Sequence, residues 1–184
     1  MTRLRFASAQ EVFEAFPNAQ QDIQAAPSAE PPLKFLAKLP GSKAPEDAIS
    51  FCAYVLGRRE AVWWSAQTIR AMGCPRGRDE EKALLIAEAW VREPEEHRRR
   101  AALDAGFNGD RELPGVWVAL GAGTAGGNLT MGGMSGPPCT ADMTARAVRA
   151  AVLIALSKVP ARDRAAHITS AVGMCQQLAN QNSS

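Results

Sequence analysis

The predicted fold is decided by the stretch Arg58-Arg59-Glu60-Ala61-Val62-Trp63-Trp64-Ser65-Ala66-Gln67-Thr68-Ile69-Arg70-Ala71-Met72. Val62, Ala66 and Ile69 recur in it at the spacing of one helical face, and the two adjacent tryptophans widen that apolar face until only a narrow polar strip remains. A helix this apolar needs neighbours on several sides, so we predict that it lies in the centre of the fold with both indoles in the core. The alternative is that the tryptophan pair forms a ligand platform or a partner contact.

Length and composition indicate one globular domain over residues 1–184, with 46% hydrophobic and 22% charged residues. The net charge is only +2, which does not favour a nucleic-acid or membrane-surface partner. No run has the length and apolarity of a membrane span, and Glu11 and Glu14 interrupt the N-terminal region in a way that a signal peptide does not show. We therefore expect a cytoplasmic protein with no nucleic-acid partner and no membrane insertion.

Signals for helix ends divide the remaining sequence into further helices. Ser8 and Glu11 have the spacing of a capping box, while Pro45 and Pro114 stand where helices open. We predict an all-α fold of about seven to nine helices, packed as a compact bundle or as an irregular α-solenoid-like array. Its predicted parts, in chain order, are short N-terminal helices over 8–40, core helices over 44–123, a Gly-rich loop over 124–139 and a C-terminal helical pair over 140–181.

The cysteines and histidines form no recognisable chemical site in the sequence. The four cysteines, at positions 52, 74, 139 and 175, contain no C-x-x-C pair, and His97 and His167 lie in no zinc or catalytic signature. A nucleophilic site would need a Cys or Ser together with a His and an acid that orients it. We therefore expect no metal, no cofactor and no enzymatic activity, with free thiols in a reducing compartment.

The segment Gly121–Gly126 matches the dinucleotide-binding pattern G-x-G-x-x-G. Such a site requires a strand before the glycines and a helix after them. Further glycines follow at Gly127, Gly132 and Gly133, so the sequence favours the end of a helix that runs into a flexible loop. Binding of a nucleotide or another small ligand at this turn is the alternative function.

Two features are candidates for a partner-binding surface. The Gly-rich loop carries Met131 and Met134, whose flexible side chains make adaptable apolar contacts, and long loops between helices are often functional. A basic run, Arg98, Arg99 and Arg100, has the charge to meet an acidic partner, a phosphate or RNA. The structural alternatives are a disordered or packed loop and a solvated helix face, which neighbouring glutamates favour for the arginines.

Several landmarks occur in an order that resembles a known family. The most specific is the tandem-Trp segment Glu60-Ala61-Val62-Trp63-Trp64, which follows Phe51-Cys52-Ala53-Tyr54 and precedes Ala87-Glu88-Ala89-Trp90-Val91. From about residue 8 to about residue 168, the chain resembles an uncharacterised bacterial family of all-helical domains of unknown function. That family has no assigned activity, so no catalytic residue follows from the resemblance. The resemblance also implies an association with gene clusters for type VI secretion.

Our first functional hypothesis is a cytoplasmic protein-interaction module that acts as an adaptor, chaperone or accessory protein of a bacterial secretion system. Its predicted partner surface combines the run Arg98–Arg100 with Met131 and Met134 of the Gly-rich loop. A small-ligand protein that uses Gly121–Gly126, and a nucleic-acid binder that uses the basic run, are the competing hypotheses.

Overall fold

A computed structural model describes residues 4–181. Within that range the chain forms ten α-helices, one short 3-10 helix and one two-stranded antiparallel sheet. The prediction of a compact, mostly helical fold is confirmed. The helix number exceeds the predicted seven to nine because Ala19–Asp22 forms a separate single-turn helix. None of the helices in this range combines the length and the apolarity that crossing a bilayer requires.

The helices in chain order are α1 (Ala9–Ala15), α2 (Ala19–Asp22), α3 (Pro32–Lys38), α4 (Asp47–Val55), α5 (Arg58–Ala71), α6 (Arg78–Arg92), α7 (Glu96–Asn108), α8 (Pro114–Gly123), α9 (Met143–Ser157) and α10 (Ala161–Asn180). The 3-10 helix spans Leu39–Gly41, and the strands are β1 (Asn128–Met131) and β2 (Met134–Pro138).

Local signals in the sequence account for several helix starts. Ser8 Oγ accepts a hydrogen bond from the backbone N–H of Glu11 at 3.3 Å, as in a capping box. The Glu11 carboxylate accepts in return from the N–H of Ala7, at 2.7 Å, one residue before the expected donor. Pro32 and Pro114 occupy first helical positions, where the missing N–H costs no helical hydrogen bond.

Helix α5 lies in the centre of the fold, where α4, α6, α8, α9 and α10 all contact it. Trp64 is fully buried, and its Nε1–H donates to the carbonyl oxygen of Ala171 in α10 at 2.9 Å. Trp63 is only half-buried and lines a surface groove beside Val91 and Leu178. The prediction that both indoles are interior is therefore correct for Trp64 and wrong for Trp63, which lies about 100° further around the helix.

Two buried carboxylates hold the connections between helices. Asp47 accepts hydrogen bonds from the backbone N–H groups of Gln24 and Ala25, at 3.1 Å or less, and so ties the N-terminal segment to α4. Glu80 accepts from the N–H of Arg76 at 2.8 Å and from the N–H of Gly115 at 3.0 Å. Because Gly115 lies in the first turn of α8, the Glu80 carboxylate satisfies a free donor and complements the helix dipole there.

The segment predicted as a Gly-rich loop, 124–139, contains a β-hairpin, so the prediction of a loop is wrong for residues 128–138. Met131 pairs with Met134 across a two-residue turn of Gly132 and Gly133, whose φ angles are 56° and 81°. Positive φ at both central residues is typical of the tight turns that match the twist of paired strands, and glycine adopts it without strain.

Candidate interaction surface

The tip of the β1–β2 hairpin exposes two adjacent methionines. The side chain of Met131 is 53% exposed and that of Met134 is 76% exposed. Within residues 4–181, the most exposed large hydrophobic residues are these two and Leu85. Two of the three therefore lie side by side at one turn. Flexible, polarizable methionine side chains suit a contact surface that adapts to its partner.

Arg99 holds the base of this hairpin. Its Nη1 donates to the carbonyl oxygen of Gly123 at 2.5 Å and its Nη2 to that of Asn128 at 3.4 Å. The same guanidinium forms two 2.8 Å hydrogen bonds with the Glu96 carboxylate on the preceding turn of α7. One side chain thus joins α7, the end of α8 and the start of β1.

Arg58, from the first turn of α5, supports the same segment by donating from Nη1 to the carbonyl oxygen of Ala125 at 2.8 Å. The N–H of Cys139 donates to the carbonyl oxygen of Gly127 at 2.8 Å, which closes the hairpin base. Gly127 has a φ of 60°, and a Cβ atom there would lie 2.7 Å from Arg99 Nη2. The positive φ favours glycine at this position, and an added Cβ would also displace the Arg99 guanidinium.

The electrostatics of this base follow from the ion pairs. Hydrogen bonds from Arg99, and then from Arg100, lower the pKa of Glu96 to about 2. The Glu96 carboxylate in turn raises the pKa of Arg99. Burial raises the pKa of the Cys139 thiol, an effect that the charges of Arg99 and Arg58 oppose. The raised pKa keeps the Cys139 thiol largely protonated at neutral pH, unlike the thiolate of an activated nucleophile.

The basic run predicted as part of the partner surface is divided by the structure. Arg99 is only 4% exposed, so the prediction that it faces a partner is wrong. The helical period turns it towards the carbonyl of Gly123, while Arg98 and Arg100 lie further around α7. Arg98 pairs with Glu93, which follows the end of α6, and Arg100 pairs with Glu96 of α7 at 2.9 Å, so neighbouring glutamates balance this charge.

Helix packing accounts for the first two glycines of the G-x-G-x-x-G segment, Gly121 and Gly123. Residues 116–118 belong to α8 rather than to a strand, and α8 ends at Gly123, so the interpretation as a helix end is confirmed. A Cβ atom on Gly123 would lie 2.3 Å from Leu103 Cα, and one on Gly121 would lie 2.7 Å from Val148 Cγ1. These positions are small because α7 and α9 approach α8 closely.

A groove adjoins the hairpin base and runs between α8 and α9; we call it the α8–α9 groove. Its volume is about 420 Å³, within the range of about 300–1,000 Å³ that is usual for ligand pockets. Phe107 of α7 and Leu129 of β1 also line it. The side chains that line it along the two helices are mainly apolar, namely Trp117, Leu120, Met143, Ala147 and Ala150.

The remaining cysteines are buried in the helical core. Cys52 and Cys175 contact each other between α4 and α10, and burial raises the pKa of the Cys52 thiol. Burial also raises the pKa of Cys74 to about 11. In the described part of the chain, no three His, Cys, Asp or Glu side chains converge closely enough to hold a metal ion.

Comparison with known proteins gives a family without an assigned activity. A model described as “Family of unknown function (DUF6931)” matches residues 35–179. No curated protein and no solved structure matches the chain. The resemblance seen in the sequence is confirmed as far as it names an uncharacterised domain. The match covers most of the protein, including the tandem-Trp helix and the hairpin, and the chain therefore belongs to the DUF6931 family.

Proposed function

We propose that this protein is a protein-interaction module that docks a partner through the tip of the β1–β2 hairpin. The observation that carries the proposal is the exposure of Met131 and Met134, side by side, on a hairpin whose base is fixed by Arg99 and Arg58. An exposed apolar pair gains free energy when a partner removes it from water.

The anchored base supports this proposal energetically. A segment that is already ordered loses less conformational entropy on binding than a free loop does. Arg99 connects three elements through hydrogen bonds, so the hairpin backbone that carries the two methionines is fixed at its base before any partner arrives. Adaptable side chains on an ordered backbone combine preorganisation with tolerance of the partner's shape.

The proposed cellular location and role follow from the family that the tandem-Trp segment resembles. On that basis we propose that the module works in the bacterial cytoplasm as an adaptor, chaperone or accessory protein of a type VI secretion system. The proposal assigns the protein no catalytic step. Arg98 and Arg100 flank the hairpin base on α7, and we place them at the rim of the surface, where their glutamate partners moderate their charge.

Site-specific photo-cross-linking in the native host tests the proposal. A benzoylphenylalanine at position 134 is expected to cross-link a discrete partner, and the double variant M131S/M134S is expected to lose that partner in co-purification. Leu85 is the matched control because it is also an exposed apolar residue, 49% accessible, but lies on α6. A partner recovered equally well with M131S/M134S, or cross-linked equally from position 85, would refute docking through the hairpin tip.

A further inference from the structure

We infer that the α8–α9 groove is the docking site for an acidic amphipathic segment of a protein partner. The inference rests on the proposed function, because it specifies the chemistry of a partner for the same module. It concerns a different surface, however, so the groove and the hairpin tip can be tested separately.

The shape of the groove suits a short peptide segment. Trp117, Leu120 and Thr124 line it at successive turns of α8 and its end, and Met143, Ala147 and Ala150 line it at successive turns of α9. The first and last residues of each row are seven residues apart, which corresponds to roughly 10 Å of helix. Two turns of a partner helix, or a short extended segment, have that length, and apolar anchors at helical spacing are the usual way to fill such a groove.

The floor of the groove is apolar. Phe107, Trp117, Leu120, Leu129 and Met143 are all partly exposed there, so their burial by a partner would remove apolar area from water. Leu129 belongs to β1, two positions before Met131. A segment in the groove would therefore lie against the base of the hairpin whose tip carries the exposed methionines.

Within residues 4–181, two arginines and one aspartate are the charged residues that line the groove. Arg146 has a side chain that is 61% exposed and forms a long ion pair, 3.9 Å, with Asp142. Arg149 lines the same side and donates from Nε to Ser50 Oγ at 2.8 Å. Arg111 does not line the groove but lies near it, because its central guanidinium carbon is 5.1 Å from the centroid of the Trp117 ring.

The acidic group at the groove already has partners. Among the groove-lining residues that the structure describes, Asp22 is the single acidic one. It accepts a hydrogen bond from the Tyr54 hydroxyl at 2.6 Å and pairs with Arg149 at 3.5 Å. Because Arg149 balances Asp22, the remaining positive charge beside the apolar side chains comes from Arg146, which is 61% exposed and has only a long, 3.9 Å ion pair with Asp142. Charge complementarity selects a partner segment whose apolar residues are flanked by Asp or Glu.

Selection from a random dodecapeptide display library against the intact protein tests the inference. Enriched peptides are expected to combine apolar anchors with acidic residues, and a fluorescent synthetic copy is expected to bind more weakly as salt increases. Arg146→Glu should weaken that binding by roughly tenfold or more. Ala150→Trp, which fills the groove with an indole, should abolish it while circular dichroism shows an unchanged helical fold.

Arg162→Glu is the matched control, since Arg162 is an exposed arginine at the start of α10 and does not line the groove. It should leave peptide affinity unchanged. Enriched peptides without acidic residues, or equal affinity for wild type, Arg146→Glu and Ala150→Trp, would overturn the inference. Cross-linking from position 134 in that case would leave the proposed function standing, because the hairpin tip is tested independently of the groove.

Discussion

Trp64 in α5 and Ala171 in α10 are joined by a buried hydrogen bond from the indole Nε1–H to the backbone carbonyl oxygen, 2.9 Å long. The two residues are 107 positions apart in the sequence. The bond satisfies the polar atom of the largest fully buried side chain in the described chain. Trp64 therefore fixes the C-terminal helix against the central helix both by packing and by a directional contact.

Trp64→Phe should destabilise the protein by about 2–3 kcal/mol, because it removes buried volume and one buried hydrogen bond together. Chemical denaturation monitored by circular dichroism measures the change. The neighbouring half-buried residue supplies the control, and Trp63→Phe should cost less than about 1 kcal/mol. Equal losses in the free energy of unfolding for the two variants would contradict the structural role of the buried Trp64 side chain.

Gly123→Ala should destabilise the fold by about 1–3 kcal/mol, since the added Cβ would lie 2.3 Å from the Cα of Leu103 and force α7 and α8 apart. Gly173→Ala, in α10, is the matched control because nothing lies within 4 Å of the added atom. It should stabilise by about 0.5–1 kcal/mol through helix propensity. Thermal denaturation checks that the two substitutions change stability in opposite directions. A stabilising Gly123→Ala would contradict the close approach of the helices.

Stability should depend on the ionisation of Glu96. Hydrogen bonds from Arg99 lower the pKa of Glu96 from 4.5 to about 2, so the carboxylate contributes stability above its unfolded pKa and loses that contribution as pH falls through the folded pKa. The difference in denaturation midpoint between wild type and Glu96→Gln should be constant above about pH 5 and should shrink towards about pH 2. A difference that stays unchanged down to that pH would rule out this linkage.

Arg99→Met should destabilise by about 2–4 kcal/mol, because it leaves the buried carbonyl oxygen of Gly123 without its guanidinium donor and removes the pair with Glu96. Arg100→Met is the matched control one residue away, with a side chain that is 59% exposed. Its effect should stay within about 0.5 kcal/mol. Urea denaturation compares the two, and indistinguishable midpoints would contradict a structural role for Arg99.

The sequence predicted the features that depend on local periodicity. The central helix, expected over 58–72, spans Arg58–Ala71, because a strong apolar face and a following glycine determine it locally. The half-buried position of Trp63 does not follow from the sequence, since periodicity gives a residue's angle around the helix but not how far the neighbouring helices extend.

The hairpin and the burial of Arg99 depend on contacts that periodicity does not report. Residues 128–138 have few β-branched residues, and the available signal was the Gly132-Gly133 pair, which favours a two-residue hairpin turn. Arg99 lies in a run of similar arginines, and its acceptors, the carbonyls of Gly123 and Asn128, are 24 and 29 positions away. The sequence pattern of this arginine run therefore does not distinguish the buried Arg99 from its more exposed neighbours.

Amide hydrogen exchange tests most directly whether the β1–β2 hairpin is an ordered element that Arg99 holds at its base. We predict a protected Cys139 N–H, which donates to Gly127 O at 2.8 Å, with protection lost in Arg99→Met and kept in Arg100→Met. Exchange of this amide at the rate of an unstructured peptide in the wild-type protein, or equal protection in the two variants, would contradict it.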